Sequence, residues 1–101
     1  MPSRSDLHDI LETIIGSGKA YYQPPASFQM SYPCIIYSWS NANTMFADNN
    51  PYNFEKRYQI IVIAKDPDSS IPNQIAMLPK CIFDRHYTAN NLNHDVFNIY
   101  F

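Results

Sequence analysis

Hydrophobic residues near the start of the chain recur at helical spacing. They fall at i, i+3, i+4, i+7 and i+8, which predicts a helix of about three turns with one apolar face. The positions are Leu7, Ile10, Leu11, Ile14 and Ile15. Ser5 is the expected N-cap and Gly16 the expected stop. A second helix is expected to begin near Ile71, capped by Ser70, and to end at Pro79.

Four other segments have the short apolar runs of β-strands. They are residues 34–39, 58–65, 81–87 and 96–101. Residues 60–63 are apolar at every position, which predicts a central strand covered on both faces, by a helix or by a neighbouring subunit. Alternation in the third strand places Cys81, Phe83 and Arg85 on one side and Ile82, Asp84 and His86 on the other.

The last strand pattern runs to the final residue, with Phe97, Ile99 and Phe101 facing one way, so the Phe101 side chain is expected to be structural. The order is α-β-β-α-β-β, with room for a short extra edge strand near Tyr21. This order predicts one α+β domain spanning residues 1–101, with two helices and a mostly antiparallel sheet of four to five strands.

The segment between the first two strands, residues 40–52, is the best candidate for function. Its composition is rich in asparagine, and its length exceeds a tight hairpin, which predicts a functional or disordered loop. Met45, Phe46 and Tyr52 would supply apolar anchors for a protein interface, beside Asp48 and Asn49. The alternative is that these apolar residues fold back as a lid over the sheet. Both readings stay open at this point.

Composition favours protein contacts. The chain is 46% hydrophobic and 15% aromatic but only 16% charged, against an average of about 25% charged residues. Interface cores share this depletion of charge and enrichment in aromatics, although a small aromatic core would explain it equally well. The seven basic residues are scattered and the net charge is −2, which indicates no sequence-specific nucleic-acid binding. Apolar runs are too short for a membrane helix of ~20 residues.

No pattern of catalytic residues is visible. Only two glycines occur, which excludes a phosphate-binding or dinucleotide loop. His8, His86 and His94 lack the spacing of metal ligands, so we expect no metal, no cofactor and no enzyme. His94 is expected to hydrogen-bond local backbone. A small metal-dependent enzyme using His86 and His94 is the less favoured alternative.

Two further short patterns have ordinary structural explanations. Asp66, Asp68 and Ser70 lack the glycine and glutamate of a calcium loop, so a turn and a helix cap explain them. Cys34 and Cys81 each lie in an apolar run, with no signal-peptide pattern before them. We therefore expect buried free thiols in a soluble protein made in a cytoplasm.

Several sequence blocks together resemble a known family. The blocks are the helix from Leu7 to Ile15, Tyr-Pro-Cys-Ile-Ile-Tyr at 32–37, Ala-Asp-Asn at 47–49 before Tyr52, Arg-Tyr-Gln at 57–59, Asp-Pro-Asp at 66–68, Leu-Pro at 78–79 and Asn-Leu-Asn-His-Asp at 91–95. The pattern spans nearly the whole chain and resembles the tail terminator, or tail completion, proteins of tailed bacteriophages.

The resemblance implies a virion structural protein of the tail or neck, assembled in the host bacterial cytoplasm. It implies a homo-oligomeric ring, commonly a hexamer, that caps the tail tube and meets the connector protein on the head side. Contacts would come from the 40–52 segment and the 90–95 turn. The implied interface residues are Met45, Phe46, Asp48, Asn49, Tyr52, Asn91 and His94. A head closure, or head-tail connector, protein of the neck is the alternative.

Overall fold

The protein folds as a small α+β domain with two helices and a five-stranded mixed sheet. The computed structural model describes residues 4–16, 19–24, 32–47, 50–66 and 68–101, with only the backbone described at 41–47 and 50–55. The elements are α1 Arg4–Ile15, β1 Ala20–Tyr22, β2 Cys34–Ala47, β3 Asn50–Ala64, α2 Ile71–Ala76, β4 Cys81–Ala89 and β5 Leu92–Tyr100. The strand order across the sheet is β1-β2-β3-β5-β4.

The topology corrects the predicted order in one respect. The short strand that was only allowed for near Tyr21 is present as β1, so the order is α-β-β-β-α-β-β. β1 runs parallel to β2, with Ala20 beside Ile35 and Tyr22 beside Tyr37, whereas the other three pairings are antiparallel. The sheet is therefore mixed.

Helix α1 carries the predicted apolar face. Leu7 and Leu11 are fully buried. The helix begins at Arg4, so the prediction that Ser5 is the N-cap is wrong, because Ser5 lies inside the first turn. The predicted stop is confirmed: Gly16 has a φ of 107°, and its N–H donates to the Glu12 carbonyl at 2.7 Å. A positive φ is accessible to glycine at little cost.

One core joins both helices to a single face of the sheet. Its largest fully buried members come from α1, α2 and strands β2, β3 and β5. They are Leu7, Leu11, Ile35, Tyr37, Ile60, Val62, Ile75, Phe97 and Ile99. The Phe101 ring packs against this core, as expected. The prediction that this strand is central is confirmed for β3. Val62 and Ile63 are both buried, but Ile61 is only half-buried and the described helices pack on the Val62 face alone, so cover on the second face stays a prediction.

The α2 helix is shorter than predicted. It ends at Ala76 instead of reaching Pro79, and Ser70 occupies the N-cap position without a side-chain capping hydrogen bond. The Ser69 hydroxyl instead accepts a hydrogen bond from the Ile71 N–H at 3.3 Å. None of the described helices is long and apolar enough to cross a bilayer.

The β4–β5 hairpin closes through Asn90 and Asn91, whose φ angles are 53° and 62°. Positive φ at both central residues is the requirement of a type I′ turn, which suits the twist of a two-residue hairpin. β5 starts at Leu92, four positions before the predicted Val96. The 90–95 turn expected from sequence is therefore confined to two residues.

The predicted strict alternation of side-chain faces along β4 is wrong, because the pairing of β4 with β5 contains a register shift. Phe83 lies opposite Phe97 and His86 opposite Asp95, with a register shift between Phe83 and Arg85. Since Phe97 and Asp95 share a face of β5, Phe83 and His86 also share a face, and Arg85 is turned to the other one. The sequence offered no signal for this bulge.

Candidate interaction surfaces

A two-stranded arm extends beyond the rest of the sheet. We define the arm as residues 43–47 of β2 and 50–55 of β3, which pair with each other in antiparallel register. β1 contacts β2 only at residues 35–37, and the pairing of β5 with β3 ends at Arg57, followed by one hydrogen bond from the Phe101 N–H to the Lys56 carbonyl at 2.9 Å. Among the described strands, the arm therefore has no third strand on either edge.

The arm replaces the loop predicted at 40–52. The prediction that β2 ends at Trp39 and β3 begins at Tyr58 is wrong, because both strands continue through the asparagine-rich segment. Met45 lies opposite Asn53 and Phe46 opposite Pro51, with a register shift between Met45 and Phe46.

The predicted interface residues of this segment are only partly within the described chain. Met45 and Phe46 belong to the β2 side of the arm, and Tyr52 belongs to the β3 side. Their backbones are described but their side chains are not. Asp48 and Asn49 lie outside the described residues.

The other predicted interface residues lie at the opposite end of the sheet. β3 runs from the arm to Ala64, and Ala64 is paired with Asn93 of β5. Asn91 is exposed in the adjoining turn, and the His94 Nδ1 lies 3.1 Å from the Leu92 carbonyl. The expected local hydrogen bond of His94 is confirmed. The structure thus separates the predicted contact residues into two groups, one at each end of the molecule.

The base of the arm carries an exposed tryptophan. Trp39 is 53% exposed, and the Lys56 ammonium lies 5.2 Å from the centre of its ring, within the range of a cation–π contact. A register shift at Ser40 marks the point where the arm leaves the sheet. The Ser40 hydroxyl donates to the Arg57 carbonyl at 3.0 Å, which holds the two strands together there.

The sequence predicts Trp39 only as the last residue of a strand. Trp39 stands two residues after the buried Tyr37, so strand alternation puts it on the same face. The core cluster includes Tyr37 and Tyr58 but excludes Trp39, although Tyr58 lies directly opposite it. The local pattern could place the side chain on a face but could not show where the packed core stops.

The edge strand β4 exposes apolar side chains on both faces. Ile82 is 61% exposed and Phe83 is 53% exposed, although the Phe83 ring contacts Phe97 edge to face at 5.5 Å. Ile82 lies opposite Asn98 and Phe83 opposite Phe97, so their side chains leave the sheet in opposite directions. Neither residue was a predicted interface residue.

A chain of polar contacts fixes α1 to β2. The His8 Nδ1 lies 2.6 Å from the Tyr37 hydroxyl, and its Nε2 lies 2.6 Å from a Glu12 carboxylate oxygen. The Arg4 guanidinium donates to the Tyr37 hydroxyl at 3.3 Å and lies 4.7 Å from the Tyr22 ring centre. Burial raises the pKa of Tyr37, against the opposing effect of Arg4. The phenol therefore stays protonated and acts as a structural hydrogen-bonding group.

The remaining histidines do not converge on one site. His86 Nδ1 lies 2.7 Å from the Asp95 carboxylate, whereas His94 stacks on Tyr87 with ring centres 4.6 Å apart. His86 and Tyr87 are consecutive in β4, so the two imidazoles leave the sheet on opposite faces. Within the described residues, no group of three or more His, Cys, Asp or Glu side chains is placed to hold a metal ion.

Both cysteines are free thiols, as predicted. Cys34 is buried and Cys81 partly buried. Burial raises the pKa of each thiol from 9.0 to about 11. For Cys34, the positive charge of Lys19 offsets only part of this rise in pKa. Since the thiolate is the reactive form, neither cysteine is suited to nucleophilic chemistry at neutral pH.

No protein-family model matches this chain, and no curated protein sequence matches it with significance.

Proposed function

We propose that this protein is a non-enzymatic structural protein of a tailed bacteriophage, belonging to the tail terminator or tail completion proteins of the neck. In this proposal, copies assemble as a homo-oligomeric ring, with a hexamer as the expected state. The ring caps the tail tube on one side and meets the connector protein of the head-side neck on the other.

The observation that carries the proposal is the arm. A two-stranded hairpin is marginally stable in water unless a third strand or a covering surface supports it. The arm extends past β1 and β5, and no other described strand pairs with it. Support from another chain is the simplest way to hold such a ribbon, which favours a protein that works by assembly.

The separation of the two candidate contact regions also favours a ring. In a heterologous assembly each subunit presents two different surfaces, and the rotation between neighbours closes the ring. The arm lies at one end of β3, and the Asn90–Asn91 turn lies at the other end. A subunit with contacts at two ends can also meet different proteins above and below the ring.

The decisive experiment is deletion of the gene from the phage or prophage that encodes it, followed by electron microscopy of the particles. Overlong tails without heads would support tail termination. Tails of normal length beside heads that leak DNA would instead assign the protein to head closure, which is the second candidate function.

A point variant tests the arm directly. Phe46→Asp places a charge among the apolar residues of the arm, so we expect it to abolish assembly while the monomer keeps its circular-dichroism spectrum. Met77→Asp is the matched control, because Met77 is 84% exposed at the C-cap of α2, away from the arm. Normal rings from Phe46→Asp would contradict the proposed role of the arm.

The alternative of a small metal-dependent enzyme would require His86 and His94 to act together. Their opposite orientations on the β4–β5 pair disfavour a shared site. Retention of a stoichiometric metal after dialysis would support that alternative. A monomeric host-directed binding module is a further alternative, and it would show neither rings nor affinity for tube protein.

A further inference from the structure

Strands β2 and β3 pair in one continuous register, except for a short segment that leads into the arm. The register of residues 34–39 with β3 would set Phe46 opposite Pro51 if it continued, and Phe46 is found there. Between these points, residues 41–45 of β2 are displaced by one position, so that Ala42 lies opposite Lys56. We call residues 41–45 the displaced segment.

Two β-bulges that compensate each other produce the displaced segment. In the described ladder between β2 and β3, Ser40 has no β3 residue opposite it, and Tyr52 has no β2 residue opposite it. Each is the extra residue of a bulge, and a bulge interrupts the ladder. Without the two bulges the same strands would pair without interruption, with Asn41 opposite Lys56. The structure contains the register with more interruptions, so something must favour it.

The displaced register groups the residues of the two strands by polarity. One face holds, beside Trp39 and Lys56, the residues Ala42, Thr44, Phe46 and Phe54. The second face holds mostly polar residues, namely Asn41, Asn43, Met45, Asn53 and Glu55. A slip to the uninterrupted register would move Asn41 and Asn43 to the first face and Phe46 to the second. The register therefore decides whether the arm has an apolar face.

Contacts at the first bulge hold the displaced register. The Ser40 hydroxyl donates to the Arg57 carbonyl at 3.0 Å, and the Arg57 Nε donates to the Ser40 hydroxyl oxygen at 3.3 Å. The hydroxyl thus replaces the backbone donor that the bulge takes away from this carbonyl. In the uninterrupted register Ser40 would lie directly opposite Arg57, and the carbonyl would accept a backbone N–H instead. The side-chain bridge therefore stabilises the displaced register alone.

We propose that Ser40 and Arg57 select the register of the arm and thereby decide which face carries its apolar residues. The uninterrupted register is the alternative pairing of the same strands. This inference rests on the proposed function, in which the arm makes assembly contacts, and it names the residues that position the arm for them. A change of register leaves the pairing of β2 with β1 and of β3 with β5 intact, because the displaced segment lies beyond both.

Engineered disulfides report the register directly. The Lys56 carbonyl accepts from the Phe101 N–H on the β5 side, so Lys56 is in a non-hydrogen-bonded position towards β2, where opposed Cα atoms lie about 4.5 Å apart. Cysteines in place of Ala42 and Lys56 are opposed only in the displaced register. Cysteines in place of Asn41 and Lys56 are opposed only in the uninterrupted one. In the other register the two Cβ atoms of a pair lie on opposite faces, which prevents a bridge.

Disulfide formation in a glutathione buffer is quantified by thiol trapping and mass spectrometry. We expect the equilibrium constant for oxidation of the Ala42→Cys, Lys56→Cys pair to exceed that of the Asn41→Cys, Lys56→Cys pair by about tenfold or more. Ser40→Ala should lower this ratio by about threefold because the hydroxyl bridge is lost, and Ser40→Thr should preserve it. Ser38→Ala is the matched control, since Ser38 lies in the same strand within the continuous register.

Deletion of Ser40 separates register selection from a general loss of stability. Without the extra residue, the register that sets Ala42 opposite Lys56 no longer needs a bulge on β2. We expect the deletion to keep the oxidation ratio of the wild type or to raise it, although it removes the same hydroxyl as Ser40→Ala. The chain without engineered cysteines gives the background from Cys34 and Cys81.

The two locked forms test the consequence for assembly. Sedimentation velocity over a range of concentrations compares each oxidised protein with the same protein after reduction by dithiothreitol, so that the loss of Lys56 is common to both states. We expect the disulfide between positions 42 and 56 to change the concentration of half-assembly by no more than about threefold. The disulfide between positions 41 and 56 should raise it by about tenfold or more, and reduction should reverse this effect.

Several results would overturn the inference. Equal oxidation of the two cysteine pairs would show that the register is not selected. Equal effects of Ser40→Ala and Ser38→Ala, or a lower oxidation ratio after deletion of Ser40, would show that the Ser40 bridge does not select it. Equal assembly of the two locked forms, or a protein that stays monomeric at every concentration, would show that the register does not position the arm for assembly. Overlong tails on gene deletion together with any of these results would leave tail termination standing.

Discussion

At the residue scale, Tyr37 determines how α1 is held on the sheet. Its ring is fully buried, while its hydroxyl meets the His8 imidazole and the Arg4 guanidinium. One proton arrangement satisfies every group. The Tyr37 O–H donates to the His8 Nδ1, the His8 Nε2–H donates to Glu12, and the Tyr37 oxygen accepts from Arg4. The network thus links three residues of one helix to a strand.

Removal of the Tyr37 hydroxyl should weaken this docking while leaving the apolar core intact. We expect Tyr37→Phe to lower the free energy of unfolding by about 1–2 kcal/mol, because His8 and Arg4 lose a partly buried partner. Urea denaturation measures the change. In the Tyr37→Phe background, His8→Ala should cost roughly 1 kcal/mol less than in the wild type, since contacting residues are not additive.

Tyr87→Phe provides the matched control for that measurement. The Tyr87 ring also stacks on a histidine, His94, but it is 38% exposed on an edge strand. Loss of the Tyr87 hydroxyl should change the free energy of unfolding by no more than about 0.5 kcal/mol. Equal effects of the two substitutions would show that the Tyr37 hydroxyl has no special role.

At the scale of single elements, the backbone of the β4–β5 turn restricts which residue types can occupy it. Asn91 has a φ of 62°, which is costly for β-branched residues. We expect Asn91→Val to lower the free energy of unfolding by roughly 1–2 kcal/mol, whereas Asn91→Gly should leave it nearly unchanged. Thermal unfolding followed by circular dichroism distinguishes the two. A destabilising Asn91→Gly would mean that the asparagine side chain matters more than its backbone angle.

Elements with a hydrophobic pattern inside one segment could be predicted from the sequence. The arm, which depends on pairing between two segments, could not. The spacing from Leu7 to Ile15 predicted α1, and the apolar run at 60–63 predicted a central strand, because each periodicity lies within one segment. The arm was predicted as a loop because its asparagines have low strand propensity. Its strand conformation comes from the ladder between β2 and β3, which no single segment reveals.

The candidate interaction surfaces were likewise predicted only in part. The sequence indicated the 40–52 segment and the region of Asn91 and His94, but it could not show that they lie at opposite ends of β3. It also missed the exposure of Trp39, Ile82 and Phe83. Exposure depends on where helices and neighbouring strands end, which is a property of tertiary packing.

At the scale of the whole molecule, the arm makes the protein elongated, with extents of 51 × 23 × 23 Å. The core that joins the helices to the sheet includes residues of β3 from Tyr58 onward. Stability is therefore concentrated in the body of the protein, and assembly contacts are expected at its extremities. Variants of the arm and variants of the core should then separate in their effects on assembly and on folding.

The ionisable groups of the core predict how the folded body responds to alkaline pH. Burial raises the pKa of Tyr37 and Tyr58, and it raises the pKa of Cys34 and Cys81 from 9.0 to about 11. Above about pH 9 the unfolded chain releases protons that the folded protein retains. The folded state then binds more protons, so the free energy of unfolding must fall as pH rises.

We expect a loss of at least about 2 kcal/mol in the free energy of unfolding between pH 8.5 and 10.5, measured by urea denaturation, with the thiols supplying most of it. The double substitution of Cys34 and Cys81 by alanine is the control. It should be less stable at pH 7, because it removes buried atoms from the packed interior. Its stability should nevertheless change less steeply with pH in this range, since the thiol protons are gone. An unchanged slope would show that the cysteines are not held protonated by the fold, and that the alkaline response comes from the tyrosines alone.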